Sequence, residues 1–163
     1  MPAMFVHLRL HTEFSVVDGT NRIDEVVKAA ARDGQPALAI TDLNNLFGAI
    51  KFYEEARSRG VKPLIGCDLI VRGLHADAQQ TSRLLVLAQN RTGYLNLCEL
   101  IARAWTSDEV KTHAVVHSDW LAEHAEGLIV LSGAQTGAVG QCLLQRDDAQ
   151  AAQVALKLAG WFP

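Results

Sequence analysis

Pro36-Ala37-Leu38-Ala39-Ile40-Thr41 is a short apolar run closed by Asp42-Leu43-Asn44-Asn45, and a stretch of helical period lies on each side of it. Six residues are too few for a buried helix, and the polar turn after them marks an end, so the run is a strand buried on both faces. Before it, Ile23, Val26, Val27 and Ala30 recur at helical spacing, and Gly34 stands where a helix stops. After it, Ala49, Ile50, Tyr53 and Ala56 repeat the pattern up to Gly60. Helix, buried strand, helix is the unit of an α/β fold.

Further out towards the N-terminus, Phe5 to Gly19 opens with polar and apolar residues in alternation. Side chains two apart on a strand share a face, so His7, Arg9 and His11 are expected on one side and Val6, Leu8 and Leu10 on the other. His-x-His on a strand offers two nitrogen ligands to one metal. Arg9 stands between these histidines, and a guanidinium has no lone pair to give and repels a cation. The strand resembles a metal site whose centre is filled by a fixed positive charge.

Towards the C-terminus, Lys62 to Val71 and Arg83 to Ala88 are expected strands. A helix from about Thr92 to Trp105 would bury Leu97, Ile101 and Ala104. Gly127 to Ser132 reads as a fifth strand, with helices at Gly137 to Leu144 and Asp148 to Ala159, and Thr106 to His117 as an irregular connection. The whole predicts a mostly parallel sheet covered by helices, open or closed into a barrel. The ending, Trp161-Phe162-Pro163, puts large apolar residues after a helix and suggests a piece of a longer protein.

Composition bounds the function. At 163 residues, 49% hydrophobic and 20% charged, the chain has enough apolar material for one core-bearing domain. With a net charge of −3, no strong non-specific electrostatic grip on nucleic acid is expected from this segment, and any DNA contact would have to be local or supplied elsewhere. Cys67, Cys98 and Cys142 are odd in number and far apart, which argues for buried thiols in a reducing compartment. No secretory signal is visible, and the uncharged stretch from Gly127 to Gln145 holds too many polar residues and glycines for a membrane span. A cytoplasmic protein is expected, with no membrane contact.

In parallel α/β folds functional residues gather at the carboxyl ends of strands. Here those ends carry His11 with Asp18, Asp42-Leu43-Asn44-Asn45, Asp68, Arg83, and Ser132-Gly133-Ala134. Together with the strings Phe-Val-His-Leu-Arg-Leu-His-Thr-Glu-Phe-Ser, Ala-Leu-Ala-Ile-Thr-Asp, Lys-Pro-Leu-Ile-Gly-Cys-Asp, Thr-Gly-Tyr-Leu-Asn-Leu and Gly-Leu-Ile-Val-Leu-Ser-Gly, the chain resembles the PHP family, named for polymerase and histidinol phosphatase. It most closely resembles the family's form at the start of the bacterial replicative (family C) DNA polymerase alpha subunit. The resemblance implies a distorted (β/α) barrel, of which residues 1–163 would be the N-terminal, truncated part. It also implies a parent that synthesises DNA with magnesium.

Active members of the family bind a cluster of divalent metals and hydrolyse phosphoesters. Carried over position by position, the ligand set falls on Arg9, His11, Asp18, Leu43, Asp68, Arg83 and Ala134, with two more ligands beyond Pro163. His11 and Asp18 keep the family's type and Asp68 is one methylene shorter, while Arg9, Leu43, Arg83 and Ala134 cannot ligate. Metal affinity collapses with such losses, so no metal, no cofactor and no catalytic residue are expected in this segment. Arg9 and Arg83 are expected to replace the cations in a charge network with Asp18, Asp42 and Asp68. Asp42 can equally serve as a turn or capping residue.

Two further functions stand beside an inactive scaffold. One is a residual metal-dependent phosphoesterase or 3′-5′ exonuclease on His7, His11, Asp18 and Asp68; the other is a free-standing phosphatase, which the polymerase-type strings disfavour. The resemblance implies as partners the rest of the polymerase alpha subunit, a separate proofreading exonuclease subunit, and DNA through the parent. Trp105, Trp120 and Trp161 are open to either partner contact or helix packing, and His75, His113, His117 and His124 are expected to be structural.

Overall fold

The computed structural model describes residues 5–107 and 113–162. The chain forms two compact units, Met1–Cys67 and Asp68–Pro163.

In the first unit, helix α1 (Ile23–Arg32) precedes strand β1 (Ala37–Ile40), which is buried along its whole length, and helix α2 (Ala49–Ser58) leads to strand β2 (Lys62–Arg72). β1 and the start of β2 are parallel, with Ala37 opposite Lys62 and Ile40 opposite Ile65. Between them Ile23, Val27, Ala30, Leu38, Ile40, Phe52, Ala56 and Val61 make one core. Burying the larger of these contributes about 1.5–3 kcal/mol each relative to leaving them in water. Gly34 and Gly60, both at positive φ, end the two helices as expected.

The inward face of α2 differs from the sequence pattern. Ala49, Phe52 and Ala56 are buried, while Ile50 (74% exposed) and Tyr53 face out. Spacing alone allowed either stripe, and the larger ring at Phe52 fills the space over β1 better than the pair that flanks it.

The N-terminal segment is extended but forms only isolated bridges, His7 beside Leu38 and Thr12 beside Asn21. Ala39 N donates to His7 O and Thr41 N to Leu10 O, yet Leu10 N donates to the Thr41 side chain (2.8 Å) rather than to a backbone carbonyl. That hydroxyl interrupts the ladder. Leu10 packs on the core as predicted, whereas Leu8 is exposed.

In the second unit, strand β3 (Thr81–Ala88) runs between β2 and strand β5 (Leu128–Leu131), and is antiparallel to β5 with Leu85 opposite Leu131. Helix α3 (Arg91–Thr106) buries Leu97, Leu100 and Ala104, with Leu100 in the place expected of Ile101. Strand β4 (Val116–His117) pairs in parallel with Val71 and Arg72 and runs into helix α4 (Ser118–Glu123). A 3-10 turn (Ala134–Thr136), α5 (Ala138–Leu144) and α6 (Asp148–Trp161) complete the unit.

The sheet is therefore mixed, where a mostly parallel one was predicted. The connection Gly73–Gln80 is too short for a helical crossover. β4 lies at the end of the stretch from Thr106 to His117 predicted to be irregular, α4 follows it where no element was predicted, and residues 108–112 fall outside the described residues.

Candidate functional site

In the first unit a loop from His11 to Gly19 leaves the extended segment and is held against the end of β1. Asp42, almost fully buried, accepts two hydrogen bonds from one residue, from Thr12 N at 2.6 Å and from the Thr12 hydroxyl at 2.8 Å. Burial pushes the Asp42 carboxyl above its ordinary value despite both bonds. The Cys67 thiol donates to Asp42 O at 3.1 Å. Asp42 is thus a tie between two segments. It does not cap α2, whose N-cap, Gly48, has no side-chain bond.

The loop closes on a second knot. Ser15, fully buried, donates from its hydroxyl to Asp18 Oδ1 (2.7 Å) and accepts from Leu43 N (2.9 Å). His11 Nδ1 lies 2.9 Å from the same Asp18 oxygen. Gly19 packs against Thr12 so closely that a Cβ there would sit 1.8 Å from Thr12 O. Thr12 and Ser15 are the residues missed by the search for charged and imidazole groups. Their signal was faint: small hydroxyl side chains spaced three apart in a turn.

Leu43 is buried, Asn44 adopts a left-handed φ of 51°, and Asn45 Nδ2 donates to Phe14 O and Leu43 O. His7 packs edge-on against Phe5 with centroids 4.6 Å apart, and Arg9 is exposed.

In the second unit Arg83 Nη1 lies 3.3 Å from Asp68 Oδ2, with Asp68 buried and the Arg83 side chain about three-quarters so. Ala134 is exposed at a φ of 48°, just after Gly133. Of the remaining histidines, His75 is buried with Nδ1 3.8 Å from Cys142 Sγ, His113 is exposed, His117 stacks on Trp120, and His124 meets Trp120 O at 3.0 Å. Trp120 also lies beneath Arg103, Trp161 beneath Lys157, and Trp105 is half exposed. Cys67 and Cys142 are buried and Cys98 half-buried, all as thiols outside any disulfide.

These donors do not suit a divalent-metal cluster. An arginine and a leucine offer no lone pair, and His11 and Asp18 are bonded to each other. Among the described residues no group of three or more His, Cys, Asp or Glu is arranged to hold a metal ion. No helix among them is long and apolar enough to cross a membrane.

A profile of the PHP domain matches residues 7–163. The chain is 43% identical over all 163 residues to DNA polymerase III subunit alpha of Pseudomonas aeruginosa, of which it covers 14%. It is 44% identical over 146 residues to the same subunit of Vibrio cholerae, a match spanning 90% of this chain and 12% of that one. The Escherichia coli K12 subunit is likewise 44% identical over 146 residues, 89% of this chain and 12% of its own. The chain thus spans about one seventh of the length of these relatives. Among solved structures, a putative metal-dependent phosphoesterase from Bifidobacterium adolescentis superposes with a TM-score of 0.49 at 22% identity, over 63% of this chain and 34% of that one. With the domain profile matched from His7 to the last residue, the chain belongs to the PHP domain family.

Proposed function

We propose that this chain is the PHP module of a bacterial replicative DNA polymerase and works there as a metal-free scaffold. Synthesis of DNA, and the magnesium it uses, belong to the rest of the alpha subunit. The observation that carries this reading is the Arg83–Asp68 ion pair. A guanidinium stands at a position where the family's active members place a ligand, and it engages the carboxylate that would otherwise bind metal. In that role Arg83 neutralises Asp68 without any ion; the wider exchange of arginines for cations, with Arg9, Asp18 and Asp42, belongs to the same proposal. The partner that the resemblance supplies is a separate proofreading exonuclease subunit, docked on this module.

Calorimetric titration of zinc and manganese into the chain tests the reading. The expected result is no saturable heat in the wild type, and still none in Arg83→Ala, since deleting the cation restores no ligand. Binding of more than one metal per chain at micromolar Kd overturns it and revives the residual phosphoesterase. Co-migration of the purified exonuclease subunit with the chain in gel filtration tests the partner, and separate elution at micromolar concentrations counts against it.

A further inference from the structure

We propose that the outward side of α2 is a docking face for the rest of the parent polypeptide, an inference that rests on the polymerase reading above. The inner side of the helix, Ala49, Phe52 and Ala56, is already buried in the core of the first unit. Phe47 in the turn before the helix, and Ile50 and Tyr53 on it, stand three residues apart. Phe47 and Ile50 are at least 70% exposed and Tyr53 about half. One apolar stripe suits a surface helix, whereas a second, on the other side, suits a helix with protein on both.

The loop that precedes β1 continues this apolar surface. Val16 and Val17 are also more than 70% exposed. Their loop is fastened to the approach to α2: the Ser15 hydroxyl accepts from Leu43 N, Asn45 Nδ2 donates to Phe14 O, and the Phe14 ring lies close over Gly48. A face held in place before any partner arrives costs little ordering on binding. The neighbouring cations are engaged within the chain. Lys51 Nζ meets Glu13 Oε1 at 3.0 Å, and the Arg57 guanidinium lies over the Tyr53 ring. With those charges engaged, the face selects an apolar partner rather than an acidic one.

Area decides between a free partner and a tethered one. The five side chains leave roughly 600 Å² in water, the top of the range of about 300–600 Å² for the largest apolar patch on a soluble monomer. Once covered, that is about 1,200 Å² over both surfaces, only the bottom of the range of about 1,200–2,000 Å² for a stable free complex. It falls well inside the range of about 600–1,500 Å² between domains of one chain. Attachment makes up the difference, since a tethered partner is present at high effective concentration. The chain covers 14% of its Pseudomonas aeruginosa relative, so a parent of that kind has ample polypeptide to supply the partner. Strands that extend the sheet would pair along its edges and leave the outward side of α2 bare. The occupant is therefore an apolar segment of the alpha subunit that lies outside residues 1–163 and outside the strand layer.

The test is hydroxyl-radical footprinting, read by mass spectrometry, on this chain and on the full-length protein that contains it. In the chain, Phe47, Ile50 and Tyr53 should label as exposed side chains do. In the full-length protein their labelling should fall to the level of buried Phe52. Ile50→Asp puts a carboxylate in the first turn of α2, which holds no acidic residue and where the helix dipole favours one. The isolated variant should therefore melt no lower than the wild type. In the full-length protein the same carboxylate would be buried without a partner, so Phe47 and Tyr53 should label as freely as in the chain.

Equal labelling in the two wild-type samples overturns the proposal, as does a full-length Ile50→Asp variant in which Phe47 and Tyr53 stay protected. Protection that appears only when the exonuclease subunit is added gives the face to another occupant and overturns it too. So does a wild-type chain that dimerises in gel filtration where Ile50→Asp does not. A full-length parent that synthesises no DNA overturns the reading above. One that synthesises DNA and labels freely at all three residues overturns this inference alone.

Discussion

Asp42 shows how a residue of the catalytic type can be consumed by structure. Its carboxylate is buried, and it spends both oxygens on Thr12. Burial raises its pKa in the folded state, so between the unfolded value and the raised one the folded chain holds more protons than the unfolded chain. The sign follows: Asp42 favours the fold at low pH, and that contribution is lost as pH rises through the raised pKa. Asp42→Asn keeps an oxygen for Thr12 N, and its amide can donate to the Thr12 hydroxyl. Urea unfolding across pH 4 to 7 should therefore show the Asn variant gaining on the wild type as pH rises. A difference that is flat, or that runs the other way, rejects this account. Glu13 poses the opposite case. Burial pushes its pKa up, but the hydrogen bond and charge of Lys51, together with hydrogen bonds from the Glu13 and Ile23 backbone N–H groups, outweigh burial and leave it lowered. Its other oxygen accepts from Ile23 N at the start of α1, whose own N-cap, Arg22, makes no side-chain bond. Glu13→Ala should cost about 1 kcal/mol, the usual worth of a lost cap, in chemical denaturation.

Among the elements, two strings that mark the family meet at one point of the second unit. Gly93 of Thr-Gly-Tyr-Leu-Asn-Leu lies in the first turn of α3, and Gly127 opens the β5 string. A Cβ on Gly93 would fall 1.8 Å from Gly127 O, and Gly127 itself needs a φ of 72°. Asn90 caps α3 through Gly93 N, and Gln89 N donates to Gly127 O, so neither backbone can step aside cheaply. Gly93→Ala should cost at or above the ~3 kcal/mol upper end of ordinary overpacking. Gly160→Ala in α6 meets nothing within 4 Å and should stabilise by up to about 1 kcal/mol. Paired thermal melts of the two variants decide whether the close approach, rather than glycine's flexibility, is what the string encodes. Most elements were legible from period and punctuation because buried strands and glycine stops leave local marks. The inward face of α2 and the β4–α4 pair were not, since Phe52 over Ile50 and Val116 beside Val71 are settled by tertiary partners that periodicity does not contain.

At the scale of the whole molecule, charge decides what this segment can contribute to the DNA handling proposed for its parent. The proposed loss of ligand types at Arg9, Leu43, Arg83 and Ala134 was read residue by residue from the resemblance. The hydroxyl knots of Thr12 and Ser15 could not be read that way, because a hydroxyl's role depends on what the fold sets beside it. Net charge needs no fold. Eighteen acidic against fifteen basic residues leave −3, and part of the basic set is tied in ion pairs, Lys51 to Glu13, Arg59 to Glu55, Arg83 to Asp68 and Arg103 to Glu123. Non-specific affinity for a nucleic acid grows with the counterions that Lys and Arg release from its phosphates, so a chain so balanced has little to release. Fluorescence anisotropy with a labelled single-stranded oligonucleotide should show no saturable binding at about 0.15 M salt, where the screening length is about 8 Å. At low salt any rise should be weak and shallow in its salt dependence. A steep slope would instead reveal a concentrated basic face on this segment, and would give the segment itself a share in the DNA grip proposed for its parent.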